Sequence, residues 1–581
     1  MLGVHAARKL GYGFSLDESL MDNQSFIENA NLQLETLPDF HPWQFIAEFD
    51  EASLDFESLD DDFQNTLEKS KKKAIQAYLK EQGFYTSSID GDLGKGSRKA
   101  ISEWQKAGGF DETGQLNKDQ YRLVLIHQQT TGSVEQLNLP KELNNLSTWN
   151  LSQADLRYPT NLKQTIKHRL KWEDEKHRLR KLLAEGKISR SEEQRLGETR
   201  FNSFPSWRDT MTRGLDNVHG SAPVFNRFWH FWINYFAVST QGGQCPCEFF
   251  GSYYLKIRGH MTGKFEDLLY DAVWHPAMQV FLQNNQSIGP NSKRAKWKRE
   301  NGEIAAINEN LARELLELFT LTPSAGYSQE DVNNVAYILT GYGRIDDDDV
   351  DDKYFSIKPN EPGNHKVLGK VYKQSASKKL RALCIDLAKD PRTAHHIATK
   401  LSRHFIADEP PTEAIELISD AYIKSDGDLI KVHQATVEAV IKYSKESSKF
   451  LQPEIWFFQI HRAAGGYLPL RFEGLGPDWQ GNQINSTLCE LGHLNSFAPQ
   501  PNGWSDLAAD WLTPEMMDRR VRYVGQLAIQ LERGKKFDPV RYAEVLFGKS
   551  SKEALFVANS PYPKYKTACI RLFCNPKFMR A

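Results

Sequence analysis

Residues 307–321 read INENLARELLELFTL, and the spacing of their leucines is the clearest sign of the fold. Leucines recur at intervals of three and four residues, with charged residues between them, at Leu311, Leu315, Leu316 and Leu318. An α-helix makes one turn in about 3.6 residues, so this spacing gives a helix one apolar face. Further stretches repeat the pattern: 160–185, 328–341, 378–405, 412–423 and 429–445. Because strand-like alternation is short and rare, the chain is predicted to be mainly α-helical.

Length and composition indicate a globular chain with more than one domain. Its 581 residues exceed what a single core usually holds. Hydrophobic residues make up 40% of the chain, which is enough to form a core. The 73 Lys and Arg residues balance 75 Asp and Glu residues, and this near-neutral charge argues against a general nucleic-acid coat protein. The 6 cysteines are too sparse for a disulfide scaffold.

The hydropathy pattern predicts neither a membrane span nor a signal peptide. The first residues, MLGVHAARKLGYGF, lack the apolar stretch of a signal peptide. The richest apolar run, FWHFWINYFAV at 228–238, is interrupted by His230, Asn234 and Tyr235, and it falls short of the roughly 18 apolar residues of a span. Its aromatic residues cover more than one helix face, which predicts a helix buried on most sides.

Residues 66–127 differ from the rest of the chain. Helical periodicity stops at Gly83, a turn-rich segment follows, and a second helix is predicted from about Ser97, its cap, to Lys106. The motifs run in the order Q-x-Y-L, G-F-Y, I-D-G-x-x-G and S-R-K-A-I-x-x-W-Q. This segment resembles the small three-helix peptidoglycan-binding domain of bacterial cell-wall hydrolases. The matching residues are Gln76, Tyr78, Leu79, Gly83, Phe84, Tyr85, Ile89, Asp90, Gly91, Gly94, Arg98, Ala100, Ile101, Trp104 and Gln105.

That resemblance implies a ligand as well as a fold. A muropeptide needs a cation for its carboxylates and aromatic rings for its sugars, so Tyr85, Asp90 and Arg98 are predicted to be exposed and ligand-facing. The structural interpretation instead buries the aromatic residues Phe84, Tyr85 and Trp104 in a small core, to which Ile101 also belongs. The alternative is a module used for structure or for protein contacts, because a fold alone does not define a function.

A second resemblance runs along most of the chain. It rests on ordered blocks, among them FWHFWINYFAVS at 228–239, INENLARELLELFTL at 307–321, GYSQEDVNNVAYILTGY at 326–342, HHIATKLSRHFIADEPP at 395–411 and PNGWSDLAADWL at 501–512. Together with the opening AARKLGYG at 6–13, these blocks resemble the bacterial DUF1800 family. The resemblance implies a large multi-helix domain formed by residues 1–65 and 128–581. The peptidoglycan-binding-like domain of residues 66–127 would be an insertion near its N-terminus.

The helix predicted at 308–318 carries the main candidates for chemistry. Asn310, Glu314 and Glu317 fall on one face, with Arg313 adjacent. One interpretation is structural, with Arg313 linking carboxylates and bracing helices. The other is functional: Glu314 and Glu317 would act as general acid and base, or ligate a metal, and Arg313 would orient or bind an anion.

A metal site would need nitrogen ligands, and here the chain departs from the family it resembles. Family members usually have histidine at the positions of Tyr235, Phe319 and Asn360. These residue types replace imidazole poorly as ligand or proton shuttle. The three replacements indicate a site that this member has lost or rebuilt, so no metal and no cofactor are predicted. The histidines that could compensate are His230, His275, His365, His395, His396 and His404, each more often a packed or surface residue.

The segment KRAKWKRE at 293–300 places five cations around Trp297. It is predicted to be a flexible solvated loop. Contact with an acidic polymer or a protein partner is the alternative.

Three functions are compatible with these features. The first is a binding or assembly protein of the bacterial envelope, periplasmic, on the cell surface or secreted, that holds peptidoglycan or another envelope polymer without catalysis. The second is a hydrolase of a glycan or peptide polymer that uses Glu314 and Glu317. The third is a subunit of a larger assembly with protein partners. The missing histidines favour the first, so we expect a protein that binds without cutting.

Overall fold

The computed structural model describes most of the chain. The described residues are 2–16, 21–38, 67–81, 83–107, 112–117, 120–121, 124, 162, 166, 177–190, 213–214, 216–218, 220–240, 249–344, 353–444, 449–465, 483–534 and 537–581. The chain is mainly helical, as the leucine spacing predicts. It divides into two compact units, one of Met1–Asp39 with Pro159–Ala581 and the other of Phe40–Tyr158. The segment predicted to be an inserted domain lies within the second unit.

The described helices and strands are numbered in chain order. The first are α1 (Leu2–Leu10), α2 (Asn23–Glu35), α3 (Lys69–Glu81), α4 (Lys95–Ala107), α5 (Pro223–Tyr235), α6 (Phe249–Gly259), α7 (Phe265–Trp274), α8 (Pro276–Phe281), α9 (Lys293–Glu300), α10 (Asn310–Glu317) and α11 (Gln329–Leu339). A short antiparallel hairpin follows, β1 (His365–Val367) and β2 (Lys370–Tyr372), in which His365 pairs with Tyr372. The remaining helices are α12 (Lys378–Ala388), α13 (Pro391–Phe405), α14 (Thr412–Lys424), α15 (Leu429–Tyr443), α16 (Pro453–Ala463), α17 (Gln483–Glu490), α18 (Pro514–Gly534), α19 (Pro539–Phe547), α20 (Lys552–Ala558) and α21 (Lys564–Phe573).

Helix boundaries follow local capping chemistry. The stretch with helical periodicity at 378–405 forms two helices, because α12 ends at Ala388 and Pro391 opens α13. Asp390 caps α13, since its side chain accepts from the backbone N–H of Arg392. Such a cap satisfies a backbone donor that the helix leaves unpaired.

The prediction of a flexible loop at 293–300 is wrong, because these residues form α9. The Ser292 side chain accepts from the backbone N–H of Ala295 and caps the helix. Ala295 is fully buried, whereas Trp297 is 55% exposed. The cap and one buried small residue therefore hold a helix whose composition alone suggests a loop.

The core of the larger unit forms around α5, which is buried on every side from Val224 to Tyr235, as its aromatic composition predicts. Trp229 and Trp232 are at most 1% exposed. The indole nitrogen of Trp232 donates to Nε2 of His433 on α15 at 2.8 Å. Burial of one such aromatic side chain contributes about 1.5–3 kcal/mol. Among the described helices, none is both long and apolar enough to cross a membrane.

In the smaller unit, α3 and α4 pack through their apolar faces. Ile101 is fully buried and Trp104 is 8% exposed, which confirms both as core residues. The rings of Tyr78 and Trp104 meet edge to face at 5.9 Å. The predicted cap is wrong, because α4 begins at Lys95 and Ser97 is a buried residue within it. The third helix that the resemblance implies lies largely outside the described residues.

Candidate functional site

A cavity of about 500 Å³ lies where four segments of the larger unit meet. These are the end of α5, the residue after α10, one face of α13 and the chain between 492 and 516. The lining residues are Phe231, Asn234, Tyr235, Leu318, Lys400, Arg403, Gly492, Pro499, Gln500, Asn502, Gly503, Trp504, Ser505, Asp506, Leu507, Asp510, Trp511 and Met516. Both the volume and the mixture of aromatic and charged groups are typical of small-molecule sites.

Asn234 holds one wall of the cavity in place. Its Oδ1 accepts from the backbone N–H of Trp504 at 2.8 Å, and its Nδ2 donates to the Trp504 carbonyl at 2.9 Å. The two segments approach so closely that a Cβ on Gly503 would lie 2.2 Å from the Asn234 carbonyl oxygen. Gly503 also has a φ of +74°. Glycine suits both the close approach and the left-handed backbone, so the Gly503–Trp504 sequence shapes the wall.

His404 and Asp506 form the most direct polar contact at this wall. Nδ1 of His404, on α13, lies 2.7 Å from Oδ1 of Asp506. Nε2 of the same ring lies 3.2 Å from Nη1 of Arg227 on α5. A guanidinium only donates hydrogen bonds, so Nε2 accepts and Nδ1 carries the proton that is donated to Asp506. The two contacts therefore select one tautomer of a neutral imidazole.

Asp506 is held as a carboxylate. Burial would raise its pKa, but the hydrogen bond from His404 and the charges of Lys449 and Lys400 outweigh burial, so the pKa of Asp506 lies well below its usual value. Burial lowers the pKa of His404 to about 4, which leaves the imidazole uncharged at neutral pH. The side-chain amide of Gln452 also donates to Oδ1 of Asp506 at 3.2 Å. The wall thus carries a fixed negative charge.

Two cations of α13, Lys400 and Arg403, also line the cavity. Among the described residues, Nζ of Lys400 has no hydrogen-bond or ion-pair partner, and Arg403 uses only Nε, which donates to the Asp408 carbonyl at 3.2 Å. Burial lowers the pKa of Lys400, and the Asp506 carboxylate opposes that effect. Unpaired cationic groups beside a cavity favour an anionic ligand, because burying them without a partner costs free energy.

Behind the wall lies a buried polar network centred on Glu454 of α16. Its Oε1 is 3.2 Å from Nη1 of Arg213 and 3.5 Å from Nδ1 of His230. Burial would raise the pKa of Glu454, but these neighbours outweigh burial and lower it to about 2. Nε2 of His230 lies 3.4 Å from Oε1 of Gln452, which in turn reaches Asp506. Polar contacts therefore connect the buried carboxylate to the cavity wall.

The predicted catalytic residues lie together on α10 but not in the cavity lining. Glu314 and Glu317 are half-buried. Nη2 of Arg313 lies 3.0 Å from Oε2 of Glu309, and Nη1 lies 3.9 Å from Oε1 of Glu317. Arg313 also donates to Oε1 of Gln329 on α11 at 2.6 Å. These contacts connect α10 to α11. They match the structural interpretation, in which Arg313 links carboxylates and braces helices.

Glu314 keeps one property that the catalytic interpretation requires. Burial and then the charge of Glu317 raise the pKa of Glu314 to about 7. A carboxyl group with that pKa is about half protonated at pH 7, so part of its population can act as a general acid. Among the described residues, no ion pair or hydrogen bond engages its carboxyl group.

Tyr235 and Phe319, two of the three positions at which the family resemblance implies histidine, meet in space. The Tyr235 hydroxyl donates to the Phe319 carbonyl at 3.1 Å, and their rings are 6.5 Å apart. The ring of His396 is 6.1 Å from that of Tyr235. Asn360 instead donates to the Thr340 carbonyl at 2.7 Å. In the described ranges, no three histidine, cysteine, aspartate or glutamate side chains are placed to hold a metal ion.

In the smaller unit, the predicted ligand-facing residues differ in exposure. Tyr85 is only 7% exposed, so the expectation that its side chain is exposed is wrong. Its hydroxyl donates to the Ser88 carbonyl at 3.1 Å and accepts from Nε2 of Gln76 at 3.2 Å, which makes it part of a buried hydrogen-bond network. Asp90 is exposed, but its Oδ1 also accepts from Gln76, at 2.7 Å. Arg98 is exposed and, within the described residues, has no side-chain partner.

Sequence reasoning assigned no role to Lys400, Arg403 or Asp506. His404 was predicted only as one of several histidines that could replace the missing histidines of the family pattern. The available signal was the PNGWSDLAADWL block, in which an acidic residue follows a glycine-containing turn. That block does not point to His404, because the two residues that meet are 102 positions apart in the chain.

The comparisons with known proteins identify the family and nothing finer. No curated protein and no solved structure matches the chain. A family model described as "Protein of unknown function (DUF1800)" matches residues 62–580. The match runs through the segment predicted to be an inserted module and includes every residue that lines the cavity, whereas the block at 6–13 lies outside it. The chain belongs to the DUF1800 family.

Proposed function

We propose that this chain is a binding and assembly protein of the bacterial envelope that holds a polymer such as peptidoglycan without cutting it. The observation that carries the proposal is the contact between His404 and Asp506 at the cavity, where His404 donates across 2.7 Å to a carboxylate whose pKa is well below its usual value. Such a site recognises a ligand by charge and hydrogen bonding.

Hydrolysis of a glycan or peptide bond at this cavity would need a group that gives up a proton near neutral pH. Asp506 does not hold one, because its pKa is lowered. Nor can His404 relay one, because Arg227 occupies Nε2 and Asp506 occupies Nδ1. Glu314, whose raised pKa keeps part of its population protonated at neutral pH, is not among the lining residues. The groups at the cavity therefore suit recognition better than bond cleavage.

Residues 66–127 supply the reason to expect an envelope polymer, since their motifs resemble a peptidoglycan-binding domain. Arg98 is exposed on α4 with its guanidinium available, and Asp90 lies on the turn that precedes the helix. A guanidinium binds the carboxylates of a muropeptide through charge-assisted hydrogen bonds. A location in the periplasm, on the cell surface or outside the cell follows from that ligand.

The test is retention of the full chain on purified peptidoglycan sacculi. We expect the wild type to be retained and Arg98→Ala to be retained less. Lys99→Ala is the matched control, because Lys99 is a neighbouring cation, 78% exposed and paired with Glu103. Equal retention of the wild type and Arg98→Ala would show that Arg98 does not contribute to binding of peptidoglycan. Release of soluble fragments from the sacculi would overturn binding without catalysis.

A hydrolase is the second candidate, and the raised pKa of Glu314 is the observation in its favour. Under this alternative Glu314 donates a proton, Glu317 acts as the base or nucleophile, and Arg313 orients the pair. The hydrolase predicts fragment release that Glu314→Gln abolishes. If the protein binds without catalysis, neither the wild type nor Glu314→Gln releases fragments.

A further inference from the structure

We infer that the cavity between α5, α13 and residues 492–516 binds a single carboxylate carried on a sugar or peptide unit, and that Lys400 and Arg403 receive it. This inference rests on the proposed function and names the chemistry of its ligand.

Lys400 and Arg403 are placed to act together. They lie three residues apart on α13, a spacing that brings side chains to the same helix face. Both line the cavity, and within the described chain Nζ of Lys400 and both terminal nitrogens of Arg403 have no partner in the protein. A carboxylate would give these donors the charge-assisted bonds that they otherwise lack. Arginine also offers two parallel donors, which match the two oxygens of a carboxylate.

The other walls define the rest of the ligand. Phe231, Tyr235, Trp504 and Trp511 present aromatic surface, which packs against a sugar ring or an aliphatic side chain. Asp506 is an acceptor held ionised by His404, so it attracts hydroxyl or amide N–H donors and repels an anion. The carboxylate is therefore placed at Lys400 and Arg403, with the donors of the ligand towards Asp506.

The charge balance favours a monoanion. Lys400 and Arg403 contribute two positive charges to the lining, and Asp506 and Asp510 contribute two negative ones, so the lining is neutral in sum. A doubly charged phosphate would be attracted more strongly by the cations but repelled more strongly by the aspartates, so a neutral lining does not offset the larger cost of removing the dianion from water. The cavity should therefore distinguish carboxylate from phosphate.

The test is isothermal titration calorimetry of the full chain with matched small probes. The sugar pair is N-acetylmuramic acid, which carries a carboxylate, and N-acetylglucosamine, which has the same ring without one. The peptide pair is N-acetyl-alanyl-alanine and its C-terminal amide, and inorganic phosphate is the anion control. We expect the acid of one pair to bind and its neutral partner to bind at least about tenfold more weakly. Whichever pair shows the difference identifies a sugar or a peptide as the source of the carboxylate.

Variants connect that binding to the cavity. Lys400→Met keeps the length of the side chain and removes its charge, so affinity for the acid probe should fall about tenfold or more while the melting temperature does not drop. Arg403→Met should weaken the same probe. Lys389→Met is the matched control, since Lys389 is half-exposed, lies outside the cavity and pairs with Asp426; its affinity should equal that of the wild type.

Three outcomes would overturn the inference: no binding of either acid probe, equal affinity for acid and neutral partner, or phosphate binding as tightly as the acid. The proposed function fails by a different result. If the chain is retained on sacculi but binds none of the small probes, the proposed binding function stands and only the carboxylate site in the cavity is wrong. A chain that releases fragments from sacculi removes the proposed function itself.

Discussion

The His404 imidazole donates to the Asp506 carboxylate across 2.7 Å, although 102 residues separate the two in the chain. Arg227 occupies the other ring nitrogen at 3.2 Å, so the ring is held at both ends. An imidazole fixed in this way orients a carboxylate and has no free nitrogen to exchange protons with a ligand. This relationship makes the cavity wall a permanent acceptor.

Asp506→Asn tests how much stability that wall supplies. The amide is no longer a charged acceptor for His404 and no longer offsets the charge of Lys400, whereas Lys449 keeps its ion pair with Asp408. We therefore expect a loss of about 3 kcal/mol in the free energy of unfolding, measured by urea denaturation at pH 7. Asp510→Asn, a change of an exposed residue in the same lining, should change the free energy of unfolding by less than about 0.5 kcal/mol.

Because the pKa of Asp506 in the folded protein is lowered, its contribution to stability is present above about pH 4 and is lost as pH falls below that value. Equal stability of the two variants would contradict the role given to Asp506.

Glu454→Gln should be at least as damaging, because Glu454 is fully buried and its partner Arg213 is 2% exposed. Removing one charge of a buried pair typically costs about 3–5 kcal/mol. The double variant Arg213→Met with Glu454→Leu removes both charges, and we expect it to be more stable than Glu454→Gln alone. Folded Glu454 has a pKa of about 2, so its contribution is present above about pH 4.3 and is lost between that pH and about pH 2. Strict additivity of the two sites in a double-mutant cycle would show that they do not interact.

Glu314→Gln should stabilise the protein at pH 8 and leave it unchanged at pH 4. The raised pKa of about 7 means that ionising Glu314 costs free energy in the folded state but not in the unfolded one. The native state therefore loses stability as pH rises from about 4.3 to about 7, and the variant avoids that loss. Melting temperatures at the two pH values measure the difference. Glu317→Gln is the matched comparison, and because it removes the ion pair with Arg313 it should not stabilise. A lower melting temperature for Glu314→Gln at pH 8 would contradict the assignment.

Gly503→Ala should disrupt the cavity wall. The new Cβ would meet the Asn234 carbonyl oxygen at 2.2 Å, so the loop must move, and we expect a loss of about 3 kcal/mol or more. Gly302→Ala is the control, because Gly302 has a similar φ of +72° but no atom within 4 Å of the added Cβ. Gly302→Ala should lose only about 1–2 kcal/mol, the amount that the left-handed backbone conformation costs a residue with a Cβ atom. Thermal denaturation compares the two, and similar losses would mean that contact with Asn234 does not constrain Gly503.

Tyr85→Phe should lower the stability of the smaller unit by about 1 kcal/mol, because it deletes the hydroxyl that bonds Gln76 and Ser88. Arg98→Ala should change that stability by less than about 0.5 kcal/mol, since its side chain is exposed. Hydrogen exchange of the α3 and α4 amides reports on this unit specifically. A large loss from Arg98→Ala would mean that its effect on sacculi retention reports on folding.

Sequence reasoning succeeded where the deciding interactions are local. The aromatic composition of α5 and the leucine spacing of α10 give the helical fold, since burial of one helix face depends on residues three and four apart. It failed at α9, where a single cap and one buried alanine outweigh a strongly charged composition. It failed again at Tyr85, whose motif resembles a binding residue but whose hydroxyl satisfies a buried amide.

The amino-acid sequence by itself determined the helical class, the buried α5 and the membership of its family, because each depends on residue types and their order along the chain. Only the tertiary structure decided that Asp506 meets His404, that Lys400 and Arg403 line a cavity with terminal nitrogens that have no partner among the described residues, and that Glu314 and Glu317 are not among the lining residues. Those facts depend on which distant helices pack together and on which polar groups burial leaves unpaired. Neither property is encoded in the spacing of residues within one helix.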